Sequence, residues 1–231
     1  MNDPQKQHFI FSPRIKGLQI LNSNAIFPVG KIYCVGRNYA KHAAEMNTSI
    51  DKDEPFFFSK PPQSLNQGNK ILFPKNTNDL QHEVELAVCL KFGAENLSKE
   101  DAVKCIYGYA ACVDLTKRDL QQIAKNEGKP WSASKGFSNS APISQINTME
   151  GQLIEGGLIS LAVNGKQKQK SNLDQMIWKI DEIICSLSRH VALAPGDIIL
   201  TGTPEGVGPL IKGDEIEIKI ENVGEHKFKL T

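Results

Sequence analysis

Apolar and polar positions along the chain fall mostly into short runs and alternations, and only one stretch sustains a helical period. Residues 1–30 read as an irregular arm with strand-like pieces at 8–11 and 18–21, broken by Pro13, Gly17 and the asparagines around 22–24. From 31 onward the pattern predicts strands over 31–35, 55–59, 70–73, 82–92 and 105–113. Asn38 opens a short helix running to 46, and Ser98 with Asp101 forms a capping box for another. Thr116 with Asp119 caps a third helix, which Gly128 stops. Asn164 and Gly165 signal a hairpin between 158–163 and a polar partner strand. The sustained helical stripe covers 173–190, with Met176, Ile177, Ile180, Ile183, Ile184 and Leu187 on one face. A strand at 197–200, a Gly- and Pro-rich loop at 202–209, and paired strands at 215–220 and 226–230 complete the chain.

The sum is strand-rich α+β, with a mixed or antiparallel sheet in place of regular βαβ alternation. No repeat or low-complexity linker marks an internal boundary in the 231 residues. With 40% apolar and 23% charged residues the composition is that of an ordinary globular protein. Its 27 Lys and Arg against 26 Asp and Glu leave a net charge of +1. That balance offers no chain-wide field for nucleic acid or anionic lipid, and the densest basic tract, 166–170, is short and sits beside a turn. No apolar run reaches the roughly 18 residues of a membrane span, and residues 1–30 lack the pattern of a secretory signal, so the expectation is a cytoplasmic protein. The five cysteines are widely spaced without a CxxC pair and read as buried free thiols, which excludes a zinc finger, an iron–sulfur protein and a disulfide scaffold.

Candidate chemistry begins in HEVELAVCL. Period-two geometry puts Glu83, Glu85, Ala87 and Cys89 on one strand face and Val84, Leu86, Val88 and Leu90 on the other. Two carboxylates then project side by side, roughly 6–7 Å apart at the backbone. A half-exposed edge strand with its acids in water is one reading. The small apolar continuation of the same face favours the other, a buried pair that needs a proton or a cation between them. Asp114 ends the uncharged run CIYGYAACV, either as a cap for the next turn or as a third carboxylate delivered at a strand end. Three oxygen ligands without Cys suit a hard cation, Mg²⁺ or Mn²⁺ in preference to Zn²⁺. His82 points to the opposite face and reads as a core histidine or one that supports a ligand.

In GRNYAKHAAEM, His42 and Glu45 lie three apart on the predicted helix, so the carboxylate can orient the imidazole and favour its accepting a proton. A solvated surface pair has the same spacing. Arg37, Lys60, Arg118 and Lys135 punctuate turn sequences, and Lys135 stands out within the otherwise uncharged stretch 131–149. Recognition of an anionic substrate accounts for several of them, as does ordinary surface placement.

Taken in order, VGRNYAKHAAEM, PFFFSKP, HEVELAV, GYAACVDLTKRDLQ, PWSASKGF and GDIILTGTPEGVGPL resemble the fumarylacetoacetate hydrolase family over residues 31–231, most closely its single-domain acylpyruvate hydrolase and oxaloacetate decarboxylase members. The resemblance implies a mixed β-roll or barrel with flanking helices, assembled as a homodimer, with 1–30 as an arm and 31–231 as one catalytic domain. It places one divalent cation per subunit, Mg²⁺ or Mn²⁺, on Glu83, Glu85 and Asp114, with no organic cofactor. It makes His42 and Glu45 the catalytic dyad and Lys135 the catalytic lysine. Gln121, Thr203, Arg37, Lys60 and Arg118 fall on substrate-contacting or basic motif positions. The large N-terminal domain of fumarylacetoacetate hydrolases proper is replaced here by about thirty residues, which argues against that exact substrate.

The implied partner is a small anionic β-keto acid, with neither nucleic acid nor membrane. The implied reaction is metal-dependent cleavage of 3-acylpyruvates to pyruvate and a carboxylic acid, with oxaloacetate decarboxylation on the same site. An isomerase or decarboxylase of aromatic-degradation intermediates and an oxaloacetate tautomerase are alternatives. A catalytically silent, metal-stabilised dimer that binds dicarboxylates is the alternative of another class.

Overall fold

The computed structural model describes residues 10–12, 15–45 and 54–231. Two sheets dominate. The larger runs in the order Asn147–Thr148, Ile106–Val113, Val84–Leu90, Ile198–Leu200, Ile32–Gly36 and Phe56–Lys60. All its neighbours are antiparallel except Ile198–Leu200 with Ile32–Gly36. The second orders Lys166–Asn172, Leu158–Val163, Glu215–Ile220, Gly224–Leu230 and Lys70–Ile71, with only the last pair parallel. This is the mixed, strand-rich α+β architecture, with few helices, that the pattern of short alternating runs predicts.

The six-stranded sheet is covered on both faces. Val84, Leu86, Val88 and Leu90 enter a large cluster shared with Ile159, Leu161, Ile216 and Ile218 of the second sheet. Ala87, Cys89, Ala110 and Cys112 enter a smaller cluster with Leu18, Ile20 and Phe27. Double burial explains why the strand Ile106–Val113 carries no charge. It also places the N-terminal hairpin, Gly17–Gln19 with Ile26–Pro28, as a lid on the second cluster. The predicted piece at 8–11 lies mainly outside the described residues, as does the predicted helix end at 46. Cys34, Cys89, Cys105 and Cys112 are buried free thiols and Cys185 is half-buried.

Several predicted boundaries move for identifiable reasons. The helix expected over 173–190 starts at Ile180, after a short 3-10 turn at Leu173–Gln175. The Lys179 N–H donates to the Glu182 carboxylate at 2.9 Å, which caps the helix there. Asn38 caps no helix. Its amide donates to the Thr201 and Trp178 carbonyls and its oxygen accepts from the Trp178 N–H, so it ties three segments together while Ala40–Glu45 forms the helix. Thr116 pairs in a short strand with Leu80–His82 and donates its hydroxyl to the Asp114 carbonyl, so it caps nothing. Asp119 accepts from Thr77, Asn78 and Leu120 at the start of the helix Arg118–Asn126. Ser98 does cap Lys99–Lys104, and the turn at Asn164 and Gly165, both at positive φ, joins its two strands. Among the described residues no helix is long and apolar enough to cross a membrane.

Candidate active site

Two adjacent strands bring the acids together. Val84 pairs with Val113 and Glu85 with Cys112, so Asp114 lies beside Glu83 one step beyond the ladder, its N–H donating to the Glu83 carbonyl at 2.8 Å. Glu83 interrupts the expected strand between Leu80–His82 and Val84–Leu90, while Glu85 keeps the pleat. One carboxylate oxygen from each of Glu83, Glu85 and Asp114 lies within 4.8 Å of the others, and all three residues are buried. The edge-strand reading of the two glutamates is thereby excluded.

Three cations surround the acids. Lys135 Nζ lies 2.7 Å from Glu83 Oε2 and 2.6 Å from Asp114 Oδ2. Lys60 Nζ lies 2.7 Å from Asp114 Oδ1, and Arg118 donates to Glu83 Oε1. Burial alone would raise the Glu83 pKa, but Lys135 and Arg118 outweigh it and hold the carboxyl well below the usual range. Burial would likewise strip the Lys135 proton, yet Asp114 and Glu83 reverse this and keep it more firmly protonated than an ordinary lysine. Glu85 is the exception. Its oxygen accepts from the Gly202 N–H at 2.8 Å and no lysine or arginine pairs with it among the described residues, so burial and then the Asp114 and Glu83 charges push its pKa well above the carboxylate range.

Three buried oxygens converge, one of them on a carboxyl whose charged form burial and its acidic neighbours disfavour, and the donor set is hard, so Mg²⁺ or Mn²⁺ fits.

The acids open into a narrow cleft with a cavity volume of about 40 Å³. Arg37, His42, Glu83 and Glu85 line it together with Arg118, Gln121, Lys135 and Thr203. His42 sits on the helix Ala40–Glu45 with Nδ1 3.4 Å from Glu45 Oε2. Glu45 in turn accepts from the Gly206 N–H at 3.2 Å. Gly206 has φ of +91°, and a Cβ there would meet the Lys168 carbonyl at 2.3 Å, so only glycine lets the loop reach both partners. Gln121 accepts from Arg118 through its oxygen, which leaves its NH₂ without a protein partner among the described residues. Arg37 has φ of +61°, a left-handed conformation uncommon for its type and often held in place at working sites.

Glu45, Asp114 and Lys60 are the predicted residues that do not line the cleft, and of the three Lys60 is the one predicted to contact substrate. Its ammonium is fully buried behind Asp114, where it also donates to Ser140 Oγ at 2.8 Å and to the Lys135 carbonyl, so it neutralises an acid and does not face a ligand. The main residue that sequence reasoning missed is Gln169. It is buried, accepts from the Val84 N–H, pairs with His82 Nδ1 at 2.9 Å, and donates to Thr203 Oγ1 and the Pro204 carbonyl. It thus joins the strand of the metal-ligand candidates to the Thr203 loop. Burial lowers the His82 pKa, so this histidine is a neutral member of the network.

A model of the fumarylacetoacetate (FAA) hydrolase C-terminal domain matches residues 31–231. The chain belongs to the fumarylacetoacetate hydrolase family. A fumarylpyruvate hydrolase of Ralstonia sp is 41% identical over 183 residues, 78% of this chain and 95% of the relative. An oxaloacetate tautomerase of Escherichia coli strain K12 is 39% identical over 199 residues, 84% of this chain and 90% of the relative. The crystal structure of a fumarylpyruvate hydrolase from Pseudomonas aeruginosa, in complex with Mn²⁺ and pyruvate, superposes with a TM-score of 0.93 at 36% identity, covering 97% of this chain and 99% of that one. As a member of this family, the chain carries its acids and its cleft on the fold shared with these relatives.

Proposed function

We propose that the protein is a divalent-metal-dependent hydrolase that cleaves the C–C bond of 3-acylpyruvates to pyruvate and a carboxylic acid. The observation that carries this reading is the cleft in which Glu83, Glu85 and Asp114 converge beside the His42 and Glu45 dyad. The Ralstonia and Pseudomonas relatives, named for the same class of substrate, support it. Glu83, Glu85 and Asp114 would hold the cation, which would supply Lewis-acid stabilisation of the enolate charge that C–C cleavage produces.

The remaining steps belong to side chains. His42, oriented by Glu45, takes a proton from the water that attacks the distal carbonyl. Lys135, locked as a cation by two carboxylates, is a hydrogen-bond donor and not a base, and with the free NH₂ of Gln121 it stabilises the oxyanion. Collapse of that oxyanion breaks the bond to C3, and protonation of the departing carbon completes pyruvate. Arg37, Arg118 and Thr203 position the anionic substrate. Incubation with acetylpyruvate and Mn²⁺ is expected to release pyruvate, and turnover that persists after chelation or in Glu83→Ala overturns the proposal.

A second activity, tautomerisation of oxaloacetate, rests on the Escherichia coli relative and on the same cleft. It needs enolate stabilisation but no attacking water. His42→Ala is therefore expected to abolish hydrolysis while slowing tautomerisation far less, and equal losses contradict this division of roles. The reading also carries a homodimer, which sedimentation of the purified protein tests, and a cytoplasmic location, which cell fractionation tests.

A further inference from the structure

His42 and Glu45 ride on a helix too short to hold itself in place. Ala40–Glu45 has six residues, well below the roughly 12 at which a helix is even marginally stable alone. Its polar contacts with the loop after Thr203 are open to water: Lys41 lies 3.5 Å from Glu205, and Glu45 accepts from the Gly206 N–H at 3.2 Å. Contacts of that kind are weak, so the position of the dyad has to be set from within the fold.

The buried anchor lies two residues before the helix. Asn38 is fully buried, and its amide donates to the Thr201 carbonyl at 2.8 Å and to the Trp178 carbonyl at 3.1 Å, while its oxygen accepts from the Trp178 N–H at 2.7 Å. The Asn38 backbone carbonyl accepts from the Ile177 N–H at 2.8 Å, and buried Tyr39 bridges to Met176. Gly202 has φ of +92°, and a Cβ there would meet the Asn38 Cβ at 2.8 Å, so a glycine is what lets Asn38 come this close to Thr201.

The same joint reaches the metal-ligand candidates from the other side. Thr201 is tied to the strand of Glu85 by bonds of its own, since its N–H and Oγ1 both donate to the Leu86 carbonyl, at 3.0 and 3.2 Å. The next N–H, that of Gly202, donates to Glu85 Oε2 at 2.8 Å. One side chain thus spans from the segment that holds Glu85 to the helix that carries His42. Because Thr201 keeps its bonds to Leu86, loss of the Asn38 amide releases the helix and leaves the acids in place.

From this arrangement we infer that Asn38 is a positioning residue, which sets where the His42 imidazole stands relative to the three acids. The inference rests on the proposed hydrolysis, in which His42 is the base. A base displaced by about 1 Å loses on the order of 100-fold in rate. Neither metal binding nor the ground-state hold on the substrate passes through Asn38, so the loss falls on kcat.

The test compares Asn38→Ala and Asn38→Asp with the wild type in Kd for Mn²⁺ and in kcat, counted per bound Mn²⁺, and KM for pyruvate release from acetylpyruvate. Asn38→Asp keeps the volume and the acceptor for the Trp178 N–H, but it turns an oxygen in place of a donor towards two carbonyls. Both variants are expected to keep Kd and KM within about threefold of wild type while kcat falls by about 100-fold. Asn38→Asp alone decides the matter if circular dichroism shows Asn38→Ala unfolded. A kcat close to wild type in Asn38→Asp overturns the inference, because side-chain volume and not the amide then does the positioning. Loss of Mn²⁺ binding by Asn38→Asp overturns it too, since Asn38 then supports the acids, and so does a loss confined to KM. A wild-type protein that binds Mn²⁺ yet releases no pyruvate overturns the hydrolase reading itself and the inference with it.

Discussion

Lys60 and Lys135 grip Asp114 from opposite sides, with Nζ of Lys60 2.7 Å from Oδ1 and Nζ of Lys135 2.6 Å from Oδ2. All three groups are buried, so their charges are screened by one another and not by water. Lys60→Met removes one cation from a buried acid and is expected to destabilise the metal-free protein by about 3 kcal/mol, with Mn²⁺ restoring part of the loss. Urea unfolding with and without Mn²⁺ measures both, and coincident midpoints for wild type and variant contradict this account.

Glu83 and Glu85 are neighbours on one strand face with opposite electrostatic situations. Glu83→Gln leaves Arg118 and Lys135 facing a neutral amide, and about 2–4 kcal/mol of metal-free stability is expected to go. Glu85→Gln removes a charge that no lysine or arginine pairs with among the described residues and keeps an oxygen for the Gly202 N–H, so its metal-free stability is expected to change by less than about 1 kcal/mol. Both variants lose metal affinity. Denaturation in chelator ranks the two, and the reverse order refutes the assignment of charge.

Gln169 accepts from the strand that follows Glu83 and donates to the loop that presents Thr203. Gln169→Leu leaves the Val84 N–H and the Pro204 carbonyl without partners, at an expected cost of about 2–3 kcal/mol in stability and a fall in kcat larger than in KM. Rescue by Gln169→Glu is not expected, because a carboxylate has no donor for Thr203 and Pro204. A KM change without any kcat change contradicts a positioning role.

The acidic trio was legible because buried strands announce themselves: a carboxylate in HEVELAVCL or at the end of CIYGYAACV interrupts an apolar run that nothing else interrupts. His42 and Glu45 were legible through helical spacing. Gln169 was not, since it lies in KQKQKSN, a run with the look of a solvated strand. The structure turns it inward at a bulge, where Leu161 pairs with Gln169 and Ala162 with Gln167, and alternation cannot foresee an extra residue. Lys60 looked like a turn lysine near a substrate, and only the third dimension shows it sealed behind Asp114. The helix start at Ile180 was hidden because Leu173 and Met176 are as apolar as the helix they precede; the Glu182 cap decides the boundary.

The most direct test of the account is the initial rate of pyruvate release from acetylpyruvate in saturating Mn²⁺, wild type against Glu85→Gln. Glu85 takes no part in the surrounding ion pairs, so its substitution probes the metal site while sparing the fold. The account predicts a folded variant whose rate has dropped by roughly 100-fold or more, since even residues that merely orient metal ligands cost 10–100-fold when lost. A folded Glu85→Gln protein that still releases pyruvate at a rate close to wild type would contradict it.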